Sequence, residues 1–478
     1  MYHEHRIAIL KHTKGNIWLI ILPLIRALVS LNFDIIYWLK NAYLDIIVIL
    51  FILGTAWVKW RNLQYRVSKK GIYVKSGVLI KKEVEIPFSA ISVVLCTQSV
   101  FLRPFGAVKI RITSQALSGQ KSIKKKDIKL IVTDTIYSQI YQFMPIDIAQ
   151  KKVDYQSTKK EILVFSSVFS SAFTGILYII AFCFQVRKNS GMKDTVQLLT
   201  VTNNALNTLK KIIDGVTATG AVLVIIISVS FLLDVVIRIL RYFNLRTEKT
   251  KDVILNESGR LSHWKYYVNI SSVDYIDLQQ NLLMKLCRIK SLYIGCGGYG
   301  NRRRKQPLLV PVVKENNVSI IIQKMFPDFT LSNITIRTKK TYLFAYIGVP
   351  IIITIAVPII SGILCKIFSE WRSVIIFFTI IFEFAALNFL TAKIVSKRIT
   401  GIGMINNVLT LQYSNGCRFH TIIIPAKRVA YVKIRSTIFQ RAGGCCDIII
   451  YLKGECSNGH RVRGIMLNDA QKVVNYCT

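Results

Sequence analysis

The sequence predicts a membrane protein of mixed class: six transmembrane helices in three hairpins, alternating with three small β half-barrels, each capped by a C-terminal helix. Three observations predict it. The 478 residues are 52% apolar with a mean hydropathy of +0.41, yet carry 64 Lys and Arg against 25 Asp and Glu. A soluble nucleic-acid binder would explain that charge but not the hydropathy, so no nucleic-acid partner is expected; a membrane protein with cationic parts on one side explains both. Six apolar stretches approach or reach bilayer-spanning length. The polar stretches that follow each pair of them resemble one another.

In order, the apolar stretches are 16–33, 42–58, 163–184, 219–240, 343–364 and 373–392, against the roughly 17–25 residues that a spanning helix needs. They place a first hairpin in 1–60, a second in 160–242 with a long outer loop at 185–218, and a third in 341–393. The β domains then occupy 61–150, 243–330 and 394–478. Of the 64 basic residues, 55 fall in 1–16, 59–162, 238–341 and 393–478, so the positive-inside rule puts both termini and all three β domains in the cytoplasm. The polar start "MYHEHRIAILKHTKGN", with no small-residue cleavage site after the apolar run, predicts no cleavable signal peptide. Ten cysteines without a C-x-x-C pair suit a reducing compartment.

The clearest polar copy, "YRVSKKGIYVKSGVLIKKEVEIPFSAISVVLCTQSVFLRPFGAVKIRI" at 65–112, alternates apolar and polar positions, breaks at Gly71 and Gly77 and pauses at Pro87, as short strands joined by turns do. In the third copy Pro425, Phe439, Arg441 and Ile448 stand where the first has Pro87, Phe101, Arg103 and Ile110, without a gap. In the second, Val268, Gln280, Leu283, Lys285 and Leu292 take the places of Ile86, Gln98, Phe101, Arg103 and Ile110. The helix-like segments 134–144, 316–326 and 468–477 close the copies, each expected to cover the apolar mouth of a half-barrel.

The run "GVLIKKEVEIPFSAISVVLCTQSVFLRPFGAVKI", directly after an apolar hairpin, resembles the bacterial pleckstrin-homology-like domain of YdbS/YdbT-type membrane proteins. Three such units with six spans resemble the larger, YdbT-like member. The second copy departs from the pattern with Val268-Asn269 in place of "IP", and the third lacks the Phe before Gly444. The resemblance implies a PH-like fold, a membrane location and no enzymatic activity. By family analogy it also implies a smaller PH-like membrane protein as partner.

The stretch "GCGGYGNRRRK" contains G-x-G-x-x-G at Gly295, Gly297 and Gly300, with Glu315 twenty residues on. A dinucleotide fingerprint needs a helix to start at the glycines, because the helix N-terminus binds the phosphates. Pro307 and Pro311 preclude one, so a strand, a loop and a strand are expected, with no cofactor. Lys121, Lys124, Lys125, Lys126 and Lys129, with Arg302, Arg303, Arg304 and Lys305, are expected to form two cationic loops facing anionic phospholipid headgroups.

Within the spans, Arg26 and Glu383 are expected to form an interhelical pair, since an unpaired charge at the bilayer centre costs about 3 kcal/mol. The outer loop has Val196, Leu199, Leu206, Leu209 and Ile213 at amphipathic spacing. Cys417, His420, Cys445, Cys446, Cys456 and His460 match no common zinc spacing, so no metal is expected. No G-x-S-x-G, H-E-x-x-H or P-loop occurs, and no catalytic residue is expected. The expected role is a non-catalytic scaffold, with envelope stress or antimicrobial-peptide resistance as its setting. The alternative is a transporter or lipid-handling protein with a polar path past Arg26 and Glu383.

Overall fold

The computed structural model describes residues 1–13, 43–78, 80–114, 127–143, 153–169, 218–297, 306–339, 342–369, 372–453 and 459–477. Each of the three β domains is built from a four-stranded and a three-stranded antiparallel sheet followed by a helix.

In the first domain, β1 (Tyr2–His3) and α1 (Ala8–Thr13) precede α2 (Tyr43–Arg61), and β2 (Gln64–Val67), β3 (Gly71–Ser76) and β4 (Lys82–Pro87) complete the first sheet. The second sheet is β5 (Ile91–Gln98), β6 (Ala107–Ser114) and β7 (Asp127–Thr133), and α3 (Asp134–Phe143) closes it. The second domain repeats this order. β8 (Val153–Gln156) comes before α4 (Lys159–Phe169) and α5 (Ala218–Tyr242). Then follow β9 (Arg246–Lys249), β10 (Val253–Ser258), β11 (His263–Asn269), β12 (Val273–Gln280), α6 (Leu282–Leu286), β13 (Ile289–Cys296), β14 (Leu308–Lys314) and α7 (Val318–Met325). The third has β15 (Ile336–Arg337), then α8 (Leu343–Ile367) and α9 (Arg372–Ile399). It continues with β16 (Gly401–Ile405), β17 (Val408–Asn415), β18 (Arg418–Pro425), β19 (Val429–Arg435), α10 (Ile438–Ala442), β20 (Cys445–Leu452), β21 (His460–Met466) and α11 (Leu467–Cys477).

Two features correct the expected domain plan. First, each domain takes its opening strand from before its helical hairpin, outside the bounds expected from sequence. His3 pairs with Gln64, Gln156 with Arg246 and Arg337 with Gly401. In the third domain the hairpin of α8 and α9 returns the chain to where it left, so the residues on either side can zip together. Strands of two to four residues carry too little alternation to be read from sequence. Second, the domains are not separate half-barrels. β5 pairs with β11 and β12 with β18, giving two continuous seven-stranded sheets, with a four-stranded sheet at one end and a three-stranded one at the other.

The local rules behind the repeat are visible. Pro87 and Pro425 end β4 and β18 in extended conformation just before a short 3-10 turn, and Asn269 does the same after β11. Proline fixes the needed φ by its ring. Asn269 replaces it with a side chain that accepts from Ser271 N–H at 3.0 Å. The hairpin turns before β4, β11 and β18 open on Gly77, Gly259 and Gly416, all at positive φ. A Cβ on Gly77 would lie 1.9 Å from the Ile80 carbonyl oxygen, so no other residue fits that turn. Ile110, Leu292 and Ile448, matched in sequence, are core residues in all three copies.

Of the six expected spans, two are helices long and apolar enough to cross a bilayer by length and composition: Leu343–Ile367 and Phe378–Ile399. Six are not found among the described residues. The stretch 16–33 lies outside them, and 163–184 is described only as far as 169. The other two, 42–58 and 219–240, are helical where described, within α2 and α5. Arg238 Nε sits 3.0 Å from Asp234 Oδ2, one turn away. The outer loop 185–218 lies outside the described residues except for its last, Ala218.

Candidate functional site

Two seams join the three domains edge to edge. At the first, Val93 pairs with Val268, Val94 with Tyr267, Leu95 with Tyr266 and Cys96 with Lys265. Because side chains alternate across a sheet, Val94 and Cys96 face the core of the first domain, while Val93 and Leu95 enter that of the second. In return Tyr267, Val253 and Leu255 of the second domain enter the first core. Each fully buried aliphatic side chain is worth about 1.5–3 kcal/mol, so the cores cannot part without exposing both. Tyr137 on α3 and Tyr267 on β11 hold their hydroxyls 2.9 Å apart. Burial pushes both phenols well above their ordinary range, keeping them neutral. Ser272 donates to the Ser92 carbonyl at 3.1 Å across the same seam.

The second seam has a polar centre. Ile276 pairs with Ile423, Asp277 with Ile422, Leu278 with Thr421 and Gln279 with His420. Asp277 is buried; His420 Nδ1 donates to its Oδ2 at 3.0 Å, and Gln279 Nε2 donates to the same oxygen at 2.8 Å. Gln279 also reaches Gln306 Oε1 at 3.0 Å, and Gln306 donates to the Tyr275 hydroxyl at 2.8 Å. The Tyr413 ring stacks on His420 at 5.5 Å, and its hydroxyl lies 2.9 Å from His460 Nδ1. A buried carboxylate held by an imidazole and an amide rewards closure of the seam and penalises its opening.

The helix termini meet the domains at one end of each. Trp60, near the end of α2, packs against the cluster of Ala8, Ala107 and Ile131, and its indole N–H donates to the Glu4 carbonyl at 2.9 Å. The Glu4 side chain is buried and accepts from Lys11 at 2.7 Å and from Ile131 N–H at 3.0 Å, with His12 Nε2 at 3.0 Å. Burial alone would raise this carboxyl. The His12 hydrogen bond, the Lys11 charge and hydrogen bond, and the Ile131 N–H outweigh it and hold Glu4 below the usual carboxylate range. Before α4, Thr158 and Glu161 form a reciprocal cap, with Thr158 N–H to Glu161 Oε2 at 2.9 Å and Glu161 N–H to Thr158 Oγ1 at 3.2 Å. In the third domain Gln440 caps α10 through its Oε1 and donates from Nε2 to the Tyr342 hydroxyl and to Asp447 Oδ1, both at 2.7 Å. Asp447, buried, also accepts from Arg461 and from Gly464 N–H at 3.0 Å. Tyr342 stands immediately before α8.

Most of the residues singled out in the sequence lie outside the described residues. Lys121, Lys124, Lys125 and Lys126 lie outside the described residues, as do Arg302, Arg303, Arg304 and Lys305. Lys129 is in β7, where its carbonyl accepts from Lys11 Nζ at 2.8 Å. Arg26 also lies outside them, so its pairing with Glu383 does too. Glu383 is on α9, with Oε2 shielded and no hydrogen-bond partner among the described residues. Gly295 ends up inside β13 rather than at the start of a helix, and β14 follows antiparallel to it. A Cβ there would lie 2.2 Å from the Tyr275 ring, so this glycine makes room for an aromatic side chain. Pro311 is tolerated because β14 is an edge strand.

Cysteines and histidines of the would-be zinc group do different jobs. His420 serves Asp277 and His460 serves Tyr413. Burial, with Asp447 and Cys445 beside it, pushes the Cys446 thiol up to about 11. Burial lifts Cys96 to about 12 and Cys296 well above the ordinary range. Burial keeps these thiols protonated, as suits packed side chains, and Cys456 lies outside the described residues. Sequence reasoning missed Asp277, Gln279, Asp447 and Glu4. The "TIFQ" cap at 437–440 was legible in principle; the buried carboxylates were not, because nothing local marks them.

Three β domains of one plan, each entered from a helix (α2, α5 and α9) and joined edge to edge, define a repeated-domain protein. The family model described as the bacterial PH domain matches the chain three times, over residues 17–144, 198–324 and 351–478. The chain belongs to the bacterial PH domain family. No curated protein matches it.

Proposed function

We propose that this chain is a non-catalytic scaffold of the cytoplasmic membrane, presenting three bacterial PH domains as one rigid cytoplasmic platform. The observation that carries the reading is the pair of continuous sheets: domains that share strands cannot move independently. The helices support the membrane location, since only 11% and 17% of the apolar windows of α8 and α9 are buried, whereas a helix in a soluble core would be mostly covered. The charge asymmetry supports a cytoplasmic position for the domains.

The partner that fits is a second, smaller membrane protein carrying a bacterial PH domain. β4 and β19 have no seam partner among the described residues, although β11, β18, β5 and β12, their counterparts, all do. An open strand edge can accept another strand. The edges carry Lys82, Glu83, Glu85 and Pro87 at one end and Lys433 and Arg435 at the other, which discourages indiscriminate pairing. Envelope stress or antimicrobial-peptide resistance is the setting we propose. Affinity capture after crosslinking in native membranes tests the reading, with wild type compared to Tyr431→Pro and Val84→Pro. A discrete membrane partner lost in either variant supports the platform. A partner retained equally by both would remove the edges from the account.

A second reading, a transporter or lipid-handling protein, is favoured by one observation. Glu383 lies on the helix that also bears Thr379, whose hydroxyl donates to Ser361 on α8 at 2.5 Å. Solute flux in proteoliposomes that is lost on Glu383→Gln would put that reading first.

A further inference from the structure

We propose that the helix-proximal rim of the three domains is itself a lipid-binding surface, with loop tips inserted into the acidic phospholipid leaflet in which the neighbouring helices end. The proposal rests on the membrane reading above and adds a second attachment to it.

The same loop of each domain, between the first two strands of the second sheet, presents one large apolar side chain almost bare. Phe101 is 84% exposed, Leu286 80% and Ile438 82%. Phe105 stands exposed beside the first. Each tip has cations in the same loop: Arg103 in the first, Lys285 and Arg288 in the second, Arg441 in the third. The neighbouring hairpin turns repeat the pattern at the same end, with Val78 and Ile80 exposed beside Lys81 and Lys82, and Leu261 beside Arg260.

Bare aliphatic and aromatic tips are costly in water. Here they sit where the apolar helices arrive. Leu102, next to Phe101, packs against the same buried cluster, Ala8, Ala107 and Ile131, as Trp60 at the end of α2. Asn281, which caps α6, donates to the Val168 carbonyl on α4, well past the start of that helix. Gln440 reaches Tyr342 at the start of α8, and Lys339 Nζ donates to the Gly443 carbonyl at 3.0 Å. Arg260 N–H donates to the Leu240 carbonyl near the end of α5 at 3.0 Å. An apolar tip ringed by Lys and Arg at the level of helix ends suits the boundary between acyl chains and phosphates.

This surface is distinct from the cationic loops singled out in the sequence. β6 and β13 run away from the rim and end at Ser114 and Cys296, roughly 20–25 Å along the strands by the usual rise.

The test uses the full chain in proteoliposomes of phosphatidylcholine and phosphatidylglycerol, with a benzophenone amino acid placed singly at Phe101, Leu286, Ile438, Ile352 on α8, or Ile405 at the far end of β16. After illumination, lipid adducts at the three rim positions should approach those at Ile352 and clearly exceed those at Ile405, as expected of a surface held in the interface. Omitting phosphatidylglycerol should lower the rim adducts and leave Ile352 unchanged. Adducts at Ile352 with rim positions no higher than Ile405, or rim adducts to protein instead of lipid, overturn the proposal and leave the membrane reading standing. No lipid adduct at Ile352 removes both.

Discussion

His420 donates to Asp277 across the seam that joins the second and third domains, at 3.0 Å, and the carboxylate is closed off from solvent. The contact is a weld: the acceptor belongs to one domain, the donor to the next, and Gln279 completes the acceptor's shell. Asp277→Ala should destabilise the chain by about 3–5 kcal/mol, because it strips a partly buried imidazole and a buried amide of their shared acceptor. Thermal unfolding in detergent measures it. In a double-mutant cycle with His420→Ala, coupling above about 1 kcal/mol is expected, and additive losses would contradict the contact.

Gly295→Ala should cost about 1–3 kcal/mol by driving a methyl group into the Tyr275 ring. Trimming the ring with Tyr275→Leu in the same chain should recover much of that loss. Added NAD or ATP should leave the unfolding temperature of the wild type unchanged. A nucleotide-dependent rise would restore the glycines to a phosphate site.

Glu4 predicts a pH dependence. Its folded carboxyl titrates below the unfolded one, so its stabilising contribution is fully present above about pH 4.3 and is lost as pH falls through the lower, folded value. The unfolding temperatures of wild type and Glu4→Gln should therefore differ at pH 7 and converge as pH drops below 4. A gap that holds constant into acid would show that Glu4 acts through packing alone.

Tyr342→Phe removes the hydroxyl that ties α8 to α10 through Gln440 and should cost about 1 kcal/mol. Asp447→Ala removes the hub beneath it and should cost several times more, about 3–5 kcal/mol. Equal losses from the two would mean that the buried carboxylate is not the hub.

What the sequence disclosed and what it hid divide along physical lines. Pro87 and Pro425, Gly77, and Ile110, Leu292 and Ile448 are local devices, and their spacing gave away the repeat and its short strands joined by turns. Gly295 was rightly placed in a strand-loop-strand segment, although its reason, the Tyr275 ring, is a contact across strands. β1, β8 and β15 were missed because pairing of two to four residues depends on a hairpin closing, not on pattern. The seams were missed because β5 and β12 read as ordinary buried strands, and nothing in "ISVVLCTQ" or "VDYIDLQQ" says that the second face belongs to another domain. Asp277, Asp447 and Glu4 become sites only after distant strands bring His420, Arg461 and Ile131 to them.

The central claim, that three domains form one body, is tested most directly by amide hydrogen exchange on the full chain in a membrane mimetic. The account predicts that β5, β11, β12 and β18 exchange slowly together, as interior strands do, while β4 and β19 exchange fast at their open edges. Seam strands exchanging as fast as β4 and β19 would contradict it and return the chain to three independent domains.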